Sequence, residues 1–147
     1  MDEVEYRRVY HSVNARRCVF EKAVLTRRFH CRHLRRMNIG EREAAGCGDG
    51  PACVRCRELL VALRRKAAFA LHQPTTGAPL PHAREIRVQC GGLTGIGHSL
   101  GSDGPDPTRD IAAALDGAER RWGRLEDLPW DEIVRDITAY RGRRRRR

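Results

Sequence analysis

The sequence has no long apolar run. Nothing in it approaches the ~18 consecutive apolar residues that a membrane-spanning helix needs, and residues 1–25 carry charges throughout in place of an apolar signal core. Neither membrane insertion nor secretion is expected, and a cytoplasmic location is. Aromatic residues are scarce, with three Tyr, two Trp and three Phe, and none interleaves with the basic C-terminal run as a base-stacking platform would. Lysine is nearly absent: of 29 basic side chains only Lys22 and Lys66 are lysines. A high-GC genome produces the same bias, so arginine identity is weak evidence for phosphate recognition. The Gly-Lys-Ser/Thr ending of a phosphate loop is missing after the glycines of residues 91–97, and no Ser, His and acidic set stands out as a triad. An enzyme is therefore the less favoured reading.

What is present fits one domain of 147 residues, with 40% hydrophobic and 33% charged residues, enough to bury a modest core. The formal net charge is +10, but Arg141 and Arg143 to Arg147 supply six of those charges and their removal leaves +4. Residues 1–140 read as a single helical domain and residues 141–147 as a disordered Arg-rich tail. Such a tail attracts polyanions without sequence preference and in a salt-sensitive way.

Along the chain, Tyr6, Val9, Tyr10, Val13, Phe20, Ala23 and Val24 recur at helical spacing and predict a long first helix from Asp2 to about Thr26. Phe29 to Met37 reads as its continuation, stopped by Asn38 and Gly40. Gly46 to Pro51 reads as a turn, followed by a second helix to about His72 that would pack antiparallel on the first. Residues 73–83 read as a loop. The alternation of Ile86, Val88 and Cys90 predicts a short strand over Arg84–Cys90, and the glycines that follow predict a flexible loop. Two further helices are expected over Asp110–Arg121 and Pro129–Tyr140. The expected fold is mainly α, a small helical bundle with one short strand and a Gly-rich loop.

Six cysteines stand out, and in a reducing compartment such a set is more often metal-binding or redox-active than a disulfide framework. Cys47-x5-Cys53-x2-Cys56 places Cys53 and Cys56 one helical turn apart. The glycines beside Cys47 let its backbone fold back over the same helix end, whose partial positive charge favours thiolates. Cys31 and Cys18 lie upstream. On an unbroken helix they would point ~140° apart, so either the helix breaks near Thr26 or the two serve different purposes. Four thiolates hold a tetrahedral zinc or an iron–sulfur cluster. Structural zinc modules usually show two paired knuckles, and only one CxxC occurs here, which favours the cluster. Free cysteines are also good small core residues; that alternative stays open for Cys18, and Cys90, on its strand face, is read that way. His30 and His33 flank Cys31 and are read as surface histidines, although either could replace a cysteine on zinc.

The run Arg17-Cys18-Val19-Phe20-Glu21-Lys22-Ala23, then Cys31, then Glu41-Arg42-Glu43 before Cys47, then Cys56-Arg57-Glu58-Leu59-Leu60, resembles a family of small uncharacterised proteobacterial proteins. Members also carry a version of Pro81-His82 through Gly92-Leu93 and a closing basic tail. The resemblance implies that Cys18, Cys31, Cys47 and Cys56 form the ligand quartet, with Cys53 an extra. It implies no activity.

The sequence thus predicts a cytoplasmic metal-binding protein, its cysteine site within residues 18–56 and its cofactor an iron–sulfur cluster of the 4Fe–4S type. Its work would be electron transfer, cluster handling or redox sensing with a protein redox partner. The alternatives are a zinc-stabilised module that binds nucleic acid through its arginines and a metal-free helical interaction protein.

Overall fold

The computed structural model describes residues 2–101 and 110–142. Helices dominate: α1 (Glu3–Val13), α2 (Glu21–Leu25), α3 (Gly50–Ala67), α4 (His82–Ser99), α5 (Ile111–Trp122) and α6 (Trp130–Ala139), with a 3-10 turn at Leu125–Asp127 before α6. Between α2 and α3 an antiparallel hairpin is formed by β1 (Leu34–Ile39) and β2 (Arg42–Cys47).

The first helix is shorter than its periodicity predicts. Asp2 caps it by accepting from the Glu5 N–H, and it ends at Asn14, whose own N–H bonds back to Tyr10. Chain 15–18 then lies along β2. The Cys18 N–H donates to the Ala45 carbonyl at 2.9 Å, the Cys47 N–H to the Arg16 carbonyl at 2.8 Å, and Arg17 bridges Gly46. These pairings stop the helix by giving its backbone another partner. Tyr10 accordingly packs on Ile39 and Ala44 of the hairpin, not antiparallel on α3 as the sequence pattern implies.

The expected helical continuation over Phe29–Met37 is also replaced, by β1. Ile39 pairs with Arg42, leaving the two-residue loop Gly40-Glu41, and Gly40 adopts φ +61°, the conformation a hairpin turn with glycine first demands. Gly46 and Cys47 belong to β2, so the predicted turn is confined to the residues just before α3. Pro51 sits in the first turn of α3 and Asp49 caps it, accepting from the Ala52 N–H. α3 ends at Ala67, short of His72, which takes a positive φ of 51°.

The largest correction concerns residues 84–97, which form neither a strand nor a flexible loop but the body of α4. Gly91 and Gly95, one helical turn apart, lie against the α6 backbone: a Cβ on Gly91 would come within 2.6 Å of Ile137 Cα, and one on Gly95 within 2.9 Å of Ile133 Cα. The close fit of the two helices offsets the ~1 kcal/mol that each glycine costs in helix propensity. The main core gathers Phe20, Val24, Leu59, Leu63, Val88, Ile96, Ile133 and Ile137. Two buried carboxylates tie the elements together. Glu21 accepts from the Tyr10 hydroxyl (2.8 Å), the Ala45 N–H (2.9 Å) and Arg17 Nε (3.0 Å). Glu85 takes both Nε and Nη2 of Arg64, while Gln89 links it onward to the Ala23 N–H. α5 and α6 lie where the sequence puts them, within a residue or two. Most of the arginine tail, residues 143–147, lies outside the described residues. No helix among the described residues is long and apolar enough to cross a membrane.

Candidate metal centre

The hairpin register assembles the site. Leu34 opposite Cys47 brings the end of β2 beside the start of β1, and a tight turn (Leu34 N–H to Cys31 carbonyl, 3.0 Å) hangs Cys31 just before it. The Gly48 N–H donates to the His33 carbonyl at 2.7 Å and steers the chain into α3. There Cys53 and Cys56 stand one turn apart in the first two turns. The pairing of residues 15–18 with β2 supplies Cys18. One cavity of about 210 Å³ is consequently lined by Cys18, Cys31, Cys47, Cys53 and Cys56, with Phe20 and Ala52 among its apolar walls. All five cysteines that the sequence nominates meet there as free thiols.

α5, which sequence reasoning left out of the site, closes one side. Ile111, Ala112 and Leu115 line the cavity. The Ile111 N–H donates to the His30 carbonyl at 2.7 Å, and the Asp110 carboxylate accepts from the Arg32 N–H at 3.3 Å. Arg32 and Arg55, both lining residues, converge on Asp116 at 2.7 and 3.1 Å. That bridge fastens α5 across the cavity and places two cations beside the sulfurs. Neither α5 as a cover nor this ion triad had a signal in the cysteine spacing.

The electrostatics are those of crowded, sheltered thiols. Burial pushes the Cys18 thiol up to about 12, partly offset by the Phe20 N–H, with Cys31 and Cys47 raising it further. Cys56 is pushed up to about 12 as well, by burial first and then by Cys18, Cys31, Cys47 and Cys53 in turn. Cys31 is raised by burial, and the backbone N–H groups of His33 and Ala112 work against the rise. Cys53 is raised by burial and then by Cys47. Cys18, Cys31 and Cys56 are thus each raised further by neighbouring cysteines of the cavity, and Cys53, whose thiol leans on the Arg17 carbonyl at 3.7 Å, is raised by Cys47 in the same way. A centre of high positive charge inside such a ring deprotonates its ligands and turns repulsion into attraction. Backbone N–H donors to sulfur and the α3 N-terminus favour the thiolate state further.

The sulfurs surround a volume and do not meet at a point. Among the described residues no group of three or more His, Cys, Asp or Glu side chains could hold a metal ion as it stands. His33 lines the cavity and approaches Asp49 at 3.9 Å, whereas His30 is exposed. Cys90 is apart from this site, wholly buried on α4 among core residues, with Tyr140 and Thr26 for neighbours. No protein-family model, curated protein or solved structure matches the chain.

Proposed function

We propose that the protein is a small cytoplasmic iron–sulfur protein whose cluster, of the 4Fe–4S type, is held by Cys18, Cys31, Cys47 and Cys56. The observation that carries this reading is the single cavity lined by five free thiols from four separate stretches of chain. A lone zinc requires sulfurs at ~2.3 Å from one point. A polynuclear cluster keeps its thiolates apart and fills the space between them, and thiolate ligands scattered singly along a chain suit it. The choice of these four over Cys53 follows the quartet that the family resemblance implies. Arg32, Arg55 and the α3 N-terminus offset the negative charge of a thiolate-ligated centre, and α5 shelters it from water. When bound, the cluster supplies one-electron chemistry, and the chain's part is to ligate it, donate N–H groups to the sulfurs and limit solvent access. Electron transfer, cluster handling and redox sensing all use such a centre, with a protein redox partner. Non-specific contact with nucleic acid would belong to the arginine tail alone.

Single Cys→Ser variants test the ligand set. Iron and sulfide content after anaerobic expression should collapse for Cys18, Cys31, Cys47 and Cys56 and persist for Cys53. Equal retention in all five would defeat the proposal, and loss through Cys53 with retention at one of the four would reassign the quartet.

A further inference from the structure

Cys18 and Val19 have a second cavity on their other side, of about 350 Å³, walled by α2, α3 and the chain entering α4. Part of its lining is apolar, from Val19, Leu60 and Leu80, and part is cationic, from Arg17, Lys22, Arg57 and Arg64. One carboxylate, Glu85, lies among them, and it is spoken for. Arg64 donates to it twice, at 2.6 and 2.9 Å, the Leu80 N–H donates at 3.0 Å, and Arg64 Nη1 is held by the Gly77 carbonyl. That buried pair cancels itself and leaves three cations. Arg17 shares only its Nε with Glu21 and is 58% exposed. Lys22 Nζ lies 2.6 Å from Nδ1 of His82 and forms no ion pair with a carboxylate among the described residues. Arg57 is exposed and has no carboxylate partner among the described residues.

Some arginines of this surface find carboxylates, as Arg27 and Arg36 share Glu43 and Arg32 and Arg55 share Asp116. Others, such as Arg65 and Arg84, form no ion pair among the described residues; what distinguishes Arg57 and Lys22 is that both line one concave cleft. Arg17 is paired with Glu21, but Lys22 and Arg57 have no carboxylate partner among the described residues, and in a concave, partly apolar site their charges concentrate a positive potential, because low-dielectric walls focus the field. We propose that this cleft binds a small anion bearing a carboxylate or phosphate group, its charge between Arg57, Lys22 and Arg17 and any apolar portion against Val19, Leu60 and Leu80. Guanidinium groups suit both headgroups by paired N–H donation. Since Cys18 and Val19 border both cavities, the bound anion places negative charge against the segment that carries one of the thiols. On the iron–sulfur reading, occupancy therefore makes the centre harder to reduce. The binding itself does not depend on that reading.

The test is calorimetric titration of the full-length protein as purified with inorganic phosphate and, separately, succinate, at constant ionic strength, with amide shifts locating the site. Saturable binding centred on Leu60 and Leu80 is expected. Arg57→Gln and Lys22→Gln should each weaken it by at least about fivefold, as loss of a hydrogen bond to a charged group implies. Arg57→Lys should recover part of the loss, and Arg120→Gln, on α5, should change nothing. A preference for phosphate or for succinate would separate the two headgroup sources. Shifts scattered over the arginine surface, no saturation, or variants indistinguishable from the parent while keeping its far-UV dichroism would overturn the proposal. Saturable binding in a preparation that assembles no cluster would uphold this site and defeat the iron–sulfur reading, so the two failures are distinguishable.

Discussion

Replacing Glu21 by alanine removes the acceptor on which three elements converge, and its cost can be worked out from the contacts. The Tyr10 hydroxyl (2.8 Å) and the Ala45 N–H (2.9 Å) both lose their partner inside the protein. An unsatisfied buried donor costs about 1–3 kcal/mol, so the pair costs about 4 kcal/mol. Arg17, more than half exposed, regains water and adds little. For a chain of this size each kcal/mol moves Tm by roughly 2–4 °C, which gives a fall of about 8–16 °C. The double-mutant partner is Tyr10→Phe, which deletes one of the two stranded donors. In that background Glu21→Ala should cost about 1–3 kcal/mol less, a coupling that only a direct contact produces. Thermal and urea unfolding of the four proteins, at matched metal content because bound metal adds its own stabilisation, is the assay. A loss below about 1 kcal/mol, or additive single effects, would refute the assignment of Glu21 as the hub between α1, α2 and β2.

Gly91→Ala should destabilise by about 1–2 kcal/mol, since its Cβ would meet Ile137 backbone at 2.6 Å and the overpacking outweighs the ~1 kcal/mol gained in helix propensity. Gly117→Ala, whose nearest obstacle is the movable Leu100 side chain at 3.1 Å, should be neutral or stabilising by up to about 1 kcal/mol in the same urea titration. Hydrogen bonds from Arg32 and then Arg55 hold the Asp116 carboxyl below its ordinary range. The stability it contributes is therefore present above the unfolded-state pKa of about 3.9 and lost as pH falls through the lower folded value. Unfolding midpoints between pH 6 and 3 should drop less steeply in Asp116→Asn than in the parent. Cys90→Ala should keep full metal content at a stability cost of about 1 kcal/mol, checked by metal analysis beside thermal melts.

The parts of this fold that local pattern controls were legible in the sequence. α5 and α6 carry apolar residues at helical spacing, and Asp110 caps α5 by accepting from the N–H groups of Ala112 and Ala113. The errors share one cause, backbone whose partner is distant in sequence. Residues 15–18 have helical periodicity on either side but pair with β2, more than 25 positions on. Met37 and Ile39 sit among helix-compatible residues, and the one local clue to a strand was Gly40 followed by a single residue before the next pairing. In α4 the buried set Glu85, Val88, Gln89, Gly92 and Ile96 does follow a helical period. Two of its members are polar and one is glycine, however, so a hydrophobic pattern passes over them, and the Gly91 and Gly95 contacts with α6 are long-range facts. The same division holds at the candidate site. Cys53 and Cys56 are neighbours by helical spacing alone, while Cys18 and Cys31 reach them only through the hairpin register.

Elemental analysis of the protein purified without oxygen tests the central claim most directly. The cluster assignment predicts a brown preparation with charge-transfer absorption, containing roughly four iron and four sulfide per chain and no stoichiometric zinc. A colourless protein holding one zinc per chain would contradict it and favour the zinc-stabilised module. A fully folded chain that binds neither metal would make the cysteine-lined cavity a packing feature.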